Sequence, residues 1–316
     1  MFHDVRSRPA GAIIEVMSGR AFVLVAITTM MAMTVVTACA AAESSPAPLI
    51  ESPLAFDALG VAARATEVET VPPAPITTTD LVAQGRHWRV VTKNGAVHVW
   101  IPPGYTRRRA ETVVYVHGFY TNVDGAWKDH FLPVQFAASG INAVFIACEA
   151  PSGPGQKISW TSIGALLDAV TAGIQQQLPR RRIVAIGHSG AYRTLAGWLR
   201  EPLLDTVVLL DAAYGELDSF SAWVQQKGHR LINVGDGTKK AADAMHAKLP
   251  QTVILDGFPS IEDEIPKDAA RAKILYIRSN VGHFPLVTAG EAIPMLLRTL
   301  RAKKILDVPL ADLLAN

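Results

Sequence analysis

The feature that most limits what this chain can become is a series of short, almost wholly apolar runs along its later two thirds. "TVVYV" ends at Val116, "AVFIAC" at Cys148, "RIVAI" at Ile186, "TVVLL" at Leu210, "RLINV" at Val234 and "ILYI" at Ile277. Runs of this length that do not alternate with polar residues read as strands buried on both faces. Between them lie segments with helical spacing of their apolar residues, among them "SIGALLDAVTAGIQQQL", "AYRTLAGWLR" and "TKKAADAMHAKL". Strands and helices in alternation imply a mostly parallel sheet covered by helices. Ahead of them, "RHWRVVTKNGAVHVWIPP" gives two alternating runs around Asn94-Gly95, which predicts an antiparallel hairpin. Pro133 predicts a kink or break in the helix-like "GAWKDHFLPVQFAASG". A last helix is expected near 291–304.

In such sheets the functional loops follow the carboxyl ends of the strands, so the residues after each run are the informative ones. "TVVYV" is followed by His117-Gly118-Phe119-Tyr120, and "RIVAI" by Gly187-His188-Ser189-Gly190-Ala191. Asp211 follows "TVVLL", Gly235-Asp236-Gly237 follows "RLINV", and Asn280-Val281-Gly282-His283 follows the last strand. A serine, two acids and a histidine thus fall along one edge in the order Ser, Asp, His.

This constellation resembles the α/β-hydrolase superfamily of serine hydrolases, the esterases and lipases among them, over roughly residues 85–304. The resemblance implies an α/β fold: a mostly parallel sheet with an N-terminal antiparallel hairpin and helices on both faces. It places a nucleophile elbow at Ser189, where tight backbone requires small neighbours. Gly187 meets that need, and Ala191 departs from the second glycine of the family's G-x-S-x-G. Ser189 would attack an acyl carbon, His283 would carry the proton, and a carboxylate would orient the imidazole. The backbone N–H groups of Gly190 and Phe119 would form the oxyanion hole. Asp211 is favoured as the acid over Asp236, with Asp256 a third option. The expected activity is cleavage of an ester, less readily an amide. A non-catalytic binding protein on the same scaffold and an acyltransferase using the same triad remain the alternatives.

Tyr120, Asn122, Asp124 and Glu149 follow strands and are candidates either to touch substrate or to hold their loops. Only a short segment separates Asp211 from the next strand, so the site is expected to be open or partly roofed by its aromatics Tyr214, Phe220 and Trp223. Tyr120 and Tyr214 are the substrate-binding candidates. His188 and His117 read as structural. His87, His98, His130, His229 and His246 read as surface or packing residues, and Trp127, Trp160, Trp198 and Trp223 as core or rim. Cys148 reads as an inert buried thiol.

The first 38 residues look like a targeting segment. Arg6, Arg8 and Arg20 lie before an uncharged run from Ala21 to Ala38, an n-region followed by an apolar h-region. Val36-Thr37-Ala38-Cys39 resembles the lipobox of bacterial lipoproteins, which implies lipidation of Cys39 and an exported protein held at a membrane in the cell envelope. Cleavage to a soluble secreted or periplasmic form is the alternative, and Met17 is a second candidate start. Residues 39–80, rich in Ala, Pro and Thr, read as a tether, and 81–316 as the hydrolase domain.

The composition agrees. Of 316 residues 49% are hydrophobic and 18% charged, and the formal net charge is +2, enough apolar matter for a large core and no sign of a nucleic-acid partner. The chain has 2 cysteines and 9 histidines without a zinc-ligand spacing, so neither a metal nor another cofactor is implied. The expected partner is a small acyl compound or a lipid-like one.

Overall fold

The computed structural model describes residues 77–308. The expected signal segment 1–38, its lipobox, Cys39 and all but the last residues of the tether lie outside the described residues. The first element, α1 (Thr78–Gln84), begins three residues before the expected boundary at 81. Thr77 and Asp80 close a capping box on it, and Leu81 is buried.

The sequence of elements then runs β1 (Arg86–Thr92), β2 (Gly95–Ile101), β3 (Glu111–Val116), α2 (Val123–Asp129), α3 (Leu132–Ser139), β4 (Ala143–Cys148) and α4 (Ile163–Ile174). It continues through β5 (Ile183–His188), α5 (Tyr192–Trp198), β6 (Leu204–Leu210), α6 (Leu217–Gln225), β7 (Arg230–Gly235) and α7 (Lys239–His246). The last elements are β8 (Thr252–Leu255), α8 (Lys267–Arg271), β9 (Ile274–Arg278), α9 (Pro285–Thr288) and α10 (Ala292–Arg298). One nine-stranded sheet has the order β1-β2-β4-β3-β5-β6-β7-β9-β8. The pairs β1–β2 and β2–β4 are antiparallel. From β4 onward every pairing is parallel. This is the α/β-hydrolase fold that the family resemblance implied.

The apolar runs behave as their composition dictates. Every residue of β4 and of β5 is buried. Because side chains alternate across a strand, Val113 and Tyr115 join one core while Val114 and Val116 join the other. The first core is closed by α1, α2, α3, α9 and α10, through residues such as Leu132, Phe136 and Ile293. The second is closed by α4, α5 and α6, through Leu166, Trp198 and Phe220 among others. Each such aliphatic side chain taken from water contributes about 1.5–3 kcal/mol before its entropy is counted. The strands at the two edges, β1 and β8, keep half-exposed patterns.

Local punctuation follows the chemistry of the turn residues. Gly95 takes φ 103° at the hairpin, where a Cβ would be strained. The helix carrying Pro133 is broken into α2 and α3 at Phe131, which sits at φ 48°. The last helix stops at Arg298, short of the expected 304. There the Thr299 hydroxyl donates to Leu296 O at 2.7 Å. The chain then returns along the α3–β4 loop, where Asn142 N donates to Lys303 O at 2.7 Å and Ile305 N to Gly140 O at 2.8 Å. Cys148 is wholly buried, and that burial pushes its thiol well above the usual range, as expected of an inert thiol. No helix among the described residues is long and apolar enough to cross a membrane.

Candidate active site

Ser189 occupies the turn between β5 and α5. Its φ is 52°, a left-handed backbone that costs a serine on the order of 1–3 kcal/mol. The neighbours make room for this turn. A Cβ on Gly187 would lie 2.5 Å from Leu195 Cδ1 and 2.9 Å from Ala191 Cβ. The alanine that departs from the family pattern therefore fits because Gly187 has no side chain to meet it. A Cβ on Gly118 would lie 2.9 Å from Ser189 Cβ, so glycine there lets the loop after β3 press against the serine. A Cβ on Gly190 would lie 2.5 Å from the Phe119 ring. The two residues expected to donate the oxyanion N–H groups are thus packed on one another. Neither N–H donates to another group of the described residues.

Asp211 follows β6 at φ 43° and is fully buried. Its Oδ2 accepts from His283 Nδ1 at 2.5 Å and from Gly237 N at 3.1 Å. Its Oδ1 accepts from Asp236 N at 3.0 Å, Thr238 N at 2.8 Å and the Thr238 hydroxyl at 2.6 Å. Burial alone would raise this carboxyl. The hydrogen bonds from His283, Thr238 and Asp236 outweigh it and hold the group well below the usual carboxylate range. Gly235-Asp236-Gly237 therefore meets Asp211 with backbone N–H groups. A Cβ on Gly237 would sit 3.2 Å from Asp211 Oδ2, so the approach favours glycine. The carboxylate of Asp236 is exposed, and its part in the cradle is played by its main chain. Asp256 is remote from this cluster and pairs with Arg278 at 3.0 Å.

An ionised carboxylate only accepts, so His283 carries its proton on Nδ1 and its Nε2 is the free nitrogen. The ring is about a quarter exposed, with a relative side-chain accessibility of 24%. It is held from two further sides. His188 Nε2 donates to the His283 carbonyl at 3.0 Å, and the His188 and His283 rings lie 4.5 Å apart. Burial, and after it the neighbouring His283, push His188 down to about 3. Beneath it His130, hydrogen-bonded through Nδ1 to the Tyr115 hydroxyl at 2.8 Å, is pushed down to about 4 by burial and by His117. The imidazoles under the site are therefore neutral at ordinary pH.

Ser189 and His283 line one cavity of about 630 Å³. No hydrogen bond joins the serine hydroxyl to the ring in this structure. Aromatic side chains make up much of the remaining wall: Phe119, Tyr120, Tyr192, Tyr214 and Phe284. Tyr120, Tyr214 and Phe284 are 88%, 55% and 63% exposed, so the mouth is open.

The other expectations resolve in three ways. Tyr120 and Tyr214 line the cavity. Phe220 and Trp223 do not roof it, because α6 turns both into the second core. Asn122 caps α2 by accepting from Gly125 N at 2.8 Å, Asp124 is held by Arg89 and His98 at 2.7 Å each, and Glu149 sits 3.1 Å from His117 Nε2; these three hold loops. His130 was expected among surface or packing residues, yet it reaches the cavity wall. Thr238 and Phe284 were not singled out from sequence. Thr238 follows G-D-G, whose open backbone was the available signal. Phe284, beside His283, offered none.

No family model matches the chain, and no curated protein matches it. Among solved structures it is similar to the feruloyl esterase module of Clostridium thermocellum, at 13% identity, with 73% of this chain and 95% of that one covered and a TM-score of 0.47. It is similar also to the fluorophosphonate-binding serine hydrolase F of Staphylococcus aureus, at 11% identity, 67% and 97% coverage and a TM-score of 0.46. A third is a thermostable carboxylesterase cloned from a metagenomic library, at 13% identity, 68% and 87% coverage and a TM-score of 0.44.

Proposed function

We propose that the chain is a serine hydrolase that cleaves esters, and amides less readily, through Ser189, His283 and Asp211. The observation that carries this reading is the fixed His283 imidazole. Its Nδ1 is bound to Asp211 at 2.5 Å, and its ring shares a cavity wall with Ser189. His283 Nε2 takes the hydroxyl proton as Ser189 Oγ bonds to the acyl carbon. The carbonyl electron pair moves onto oxygen, to which the N–H groups of Gly190 and Phe119 donate. Such donors are worth about 2.7–4 kcal/mol each. Collapse re-forms the carbonyl, breaks the bond to the alkoxide and returns the proton from Nε2 to the leaving alcohol. Water then repeats the sequence on the acyl-enzyme and frees Ser189. Asp211 stays ionised and stabilises the imidazolium.

The open, aromatic-walled mouth favours an accessible ester with a flat apolar portion against Tyr120, Tyr214 and Phe284. Hydrolysis of p-nitrophenyl esters of rising chain length tests the reading. Turnover that disappears in Ser189→Ala supports it. Wild-type protein with no turnover on any ester, and no labelling by a fluorophosphonate, leaves a binding protein on this scaffold. Product analysis with an added alcohol separates hydrolysis from acyl transfer. Export and attachment through lipidated Cys39, with the Ala/Pro/Thr-rich stretch after it as the tether, complete the proposal from sequence. Cys39→Ala should move the protein from the membrane fraction to the soluble one.

A further inference from the structure

The amino ends of the parallel strands, the edge away from Ser189, enclose a second cavity of about 740 Å³. Asp205 lies at the start of β6 and Asp211 just past its end, six positions or about 20 Å of extended strand apart, so the two cavities are distinct. Eight cationic side chains and two acids, Glu111 and Asp205, line this second cavity. The whole chain carries a net charge of only +2, so its positive charge is concentrated here.

Some of that charge has a structural use. Arg230 lies at the start of β7 and spends its guanidinium on main-chain carbonyls: Ala270 at 2.9 Å, Ala272 at 3.1 Å and Thr299 at 3.0 Å. Lys273 donates to Gln225 O at 3.2 Å and Gln226 O at 2.9 Å. These carbonyls belong to the ends of α8, α10 and α6, where cations offset the helix dipole. Arg298 donates to Ala138 O at 2.7 Å and also to Val308 O, and its Nε is buried without a partner. Burial, and after it the nearby Arg301 charge, pull the Arg230 guanidinium down to about 10, with Asp205 opposing them.

Helix ends do not account for the rest. Lys227, Lys267, Arg271 and Arg301 also line the cavity and are exposed. Among the described residues none of the four lies within 4.0 Å of a carboxylate, and only Arg182 pairs, with Asp205 at 3.6 Å. Four unpaired cations converging on one concave space repel one another in the empty cleft, and a compact anion of high charge would relieve that repulsion.

We propose that this cleft binds a small anion bearing two or more adjacent phosphoryl groups, held by Lys227, Lys267, Arg271 and Arg301 over the half-buried Arg230. Concavity favours a compact ligand over the flat surface of a bilayer. Each phosphoryl group supplies about two charges and several acceptors to the fork-shaped arginine donors.

Isothermal titration of the full chain, with inorganic tripolyphosphate as the probe, tests this. Binding is expected, with affinity falling steeply as salt rises. The variant Lys227→Glu, Lys267→Glu, Arg271→Glu should weaken it at least about tenfold, since like charges replace attractive ones. The milder Lys267→Gln, Arg271→Gln variant should weaken it less while keeping the melting temperature. The control Lys93→Glu, Lys128→Glu, outside the cleft, should leave it unchanged. Absence of tripolyphosphate binding, or equal loss in the control, overturns the proposal. So does flotation with vesicles of mixed phosphatidylglycerol and phosphatidylcholine in place of tripolyphosphate binding, which would make the cleft a membrane contact. Ester turnover is not needed for any of these readings.

Discussion

The two ends of the same strands do opposite things with charge and backbone. At the carboxyl ends the chain is bent into left-handed turns at Tyr120, Ser189 and Asp211, with φ of 67°, 52° and 43°, and the ionisable groups there are nearly all partnered. Asp211 has five donors, and His188 and His130 are kept neutral by burial. Of the residues lining the amino-end cavity only Gly228 has a positive φ, and the cations are in excess. Strain held by surrounding contacts suits a fixed reacting geometry, whereas unpaired charge suits an exchangeable ligand. If this division is correct, mutations at one end should leave the other's behaviour intact.

The largest expected effect is at the carboxyl end. Ser189→Ala or His283→Ala should lower kcat for a p-nitrophenyl ester by about a millionfold, the scale seen when a nucleophile or base is removed from a triad, with the thermal melt little changed. Asp211→Asn should cost about ten-thousandfold, because an amide cannot hold the Nδ1–H tautomer. Asp236→Asn should change kcat by less than about threefold, since Asp236 contributes its N–H, which the substitution keeps. Equal losses for the two aspartates would break the assignment of the acid.

Next comes the acid dependence of stability. His188 and His130 titrate in the fold at about 3 and about 4, below the ordinary histidine value of about 6.5. As pH falls through that value the unfolded chain takes up these protons and the native chain does not. Stability is therefore full above about pH 6.5 and declines below it, by up to about 1.4 kcal/mol per pH unit for each histidine. Asp211, held below its ordinary value, adds loss in the same direction below about pH 4. Urea titrations at pH 7, 5.5 and 4 measure this, and His130→Gln should flatten the slope. Gly187→Ala should cost about 1–3 kcal/mol through its clash with Leu195 and Ala191. The smallest effect sharpens the comparison most. The triple charge reversal at Lys227, Lys267 and Arg271 should alter ester turnover by less than about twofold, because about 20 Å of strand separates it from the serine.

Much of the sheet was legible because burial on both faces leaves a run such as Ala143–Cys148 no polar residue to hide. The hairpin was legible from Asn94-Gly95, and the break at Pro133 from the ring's missing N–H. The ends of elements were not. The last helix stops at Arg298 because the following residues pair with Asn142 and Gly140, partners far away in sequence. At the site, strand ends picked out the serine, the histidine and both acids, and Asp211 was favoured over Asp236. Only three dimensions show that Asp211 meets His283 with its carboxylate while Asp236 offers Asp211 its main-chain N–H. Phe220 and Trp223 misled for the same reason: position in a short segment says nothing of which helix face meets the core. The basic cleft escaped the sequence because its cations come from four separate stretches, none of which stands out alone.

The central claim is that the hydroxyl at 189 is an activated nucleophile, and the most direct measurement is mass-spectrometric mapping of the protein after reaction with a fluorophosphonate. The account predicts a single adduct on the peptide carrying Ser189, absent in Ser189→Ala and much slowed in Asp211→Asn. An adduct on another residue, or an unmodified Ser189 under conditions that label a known serine esterase, would contradict it.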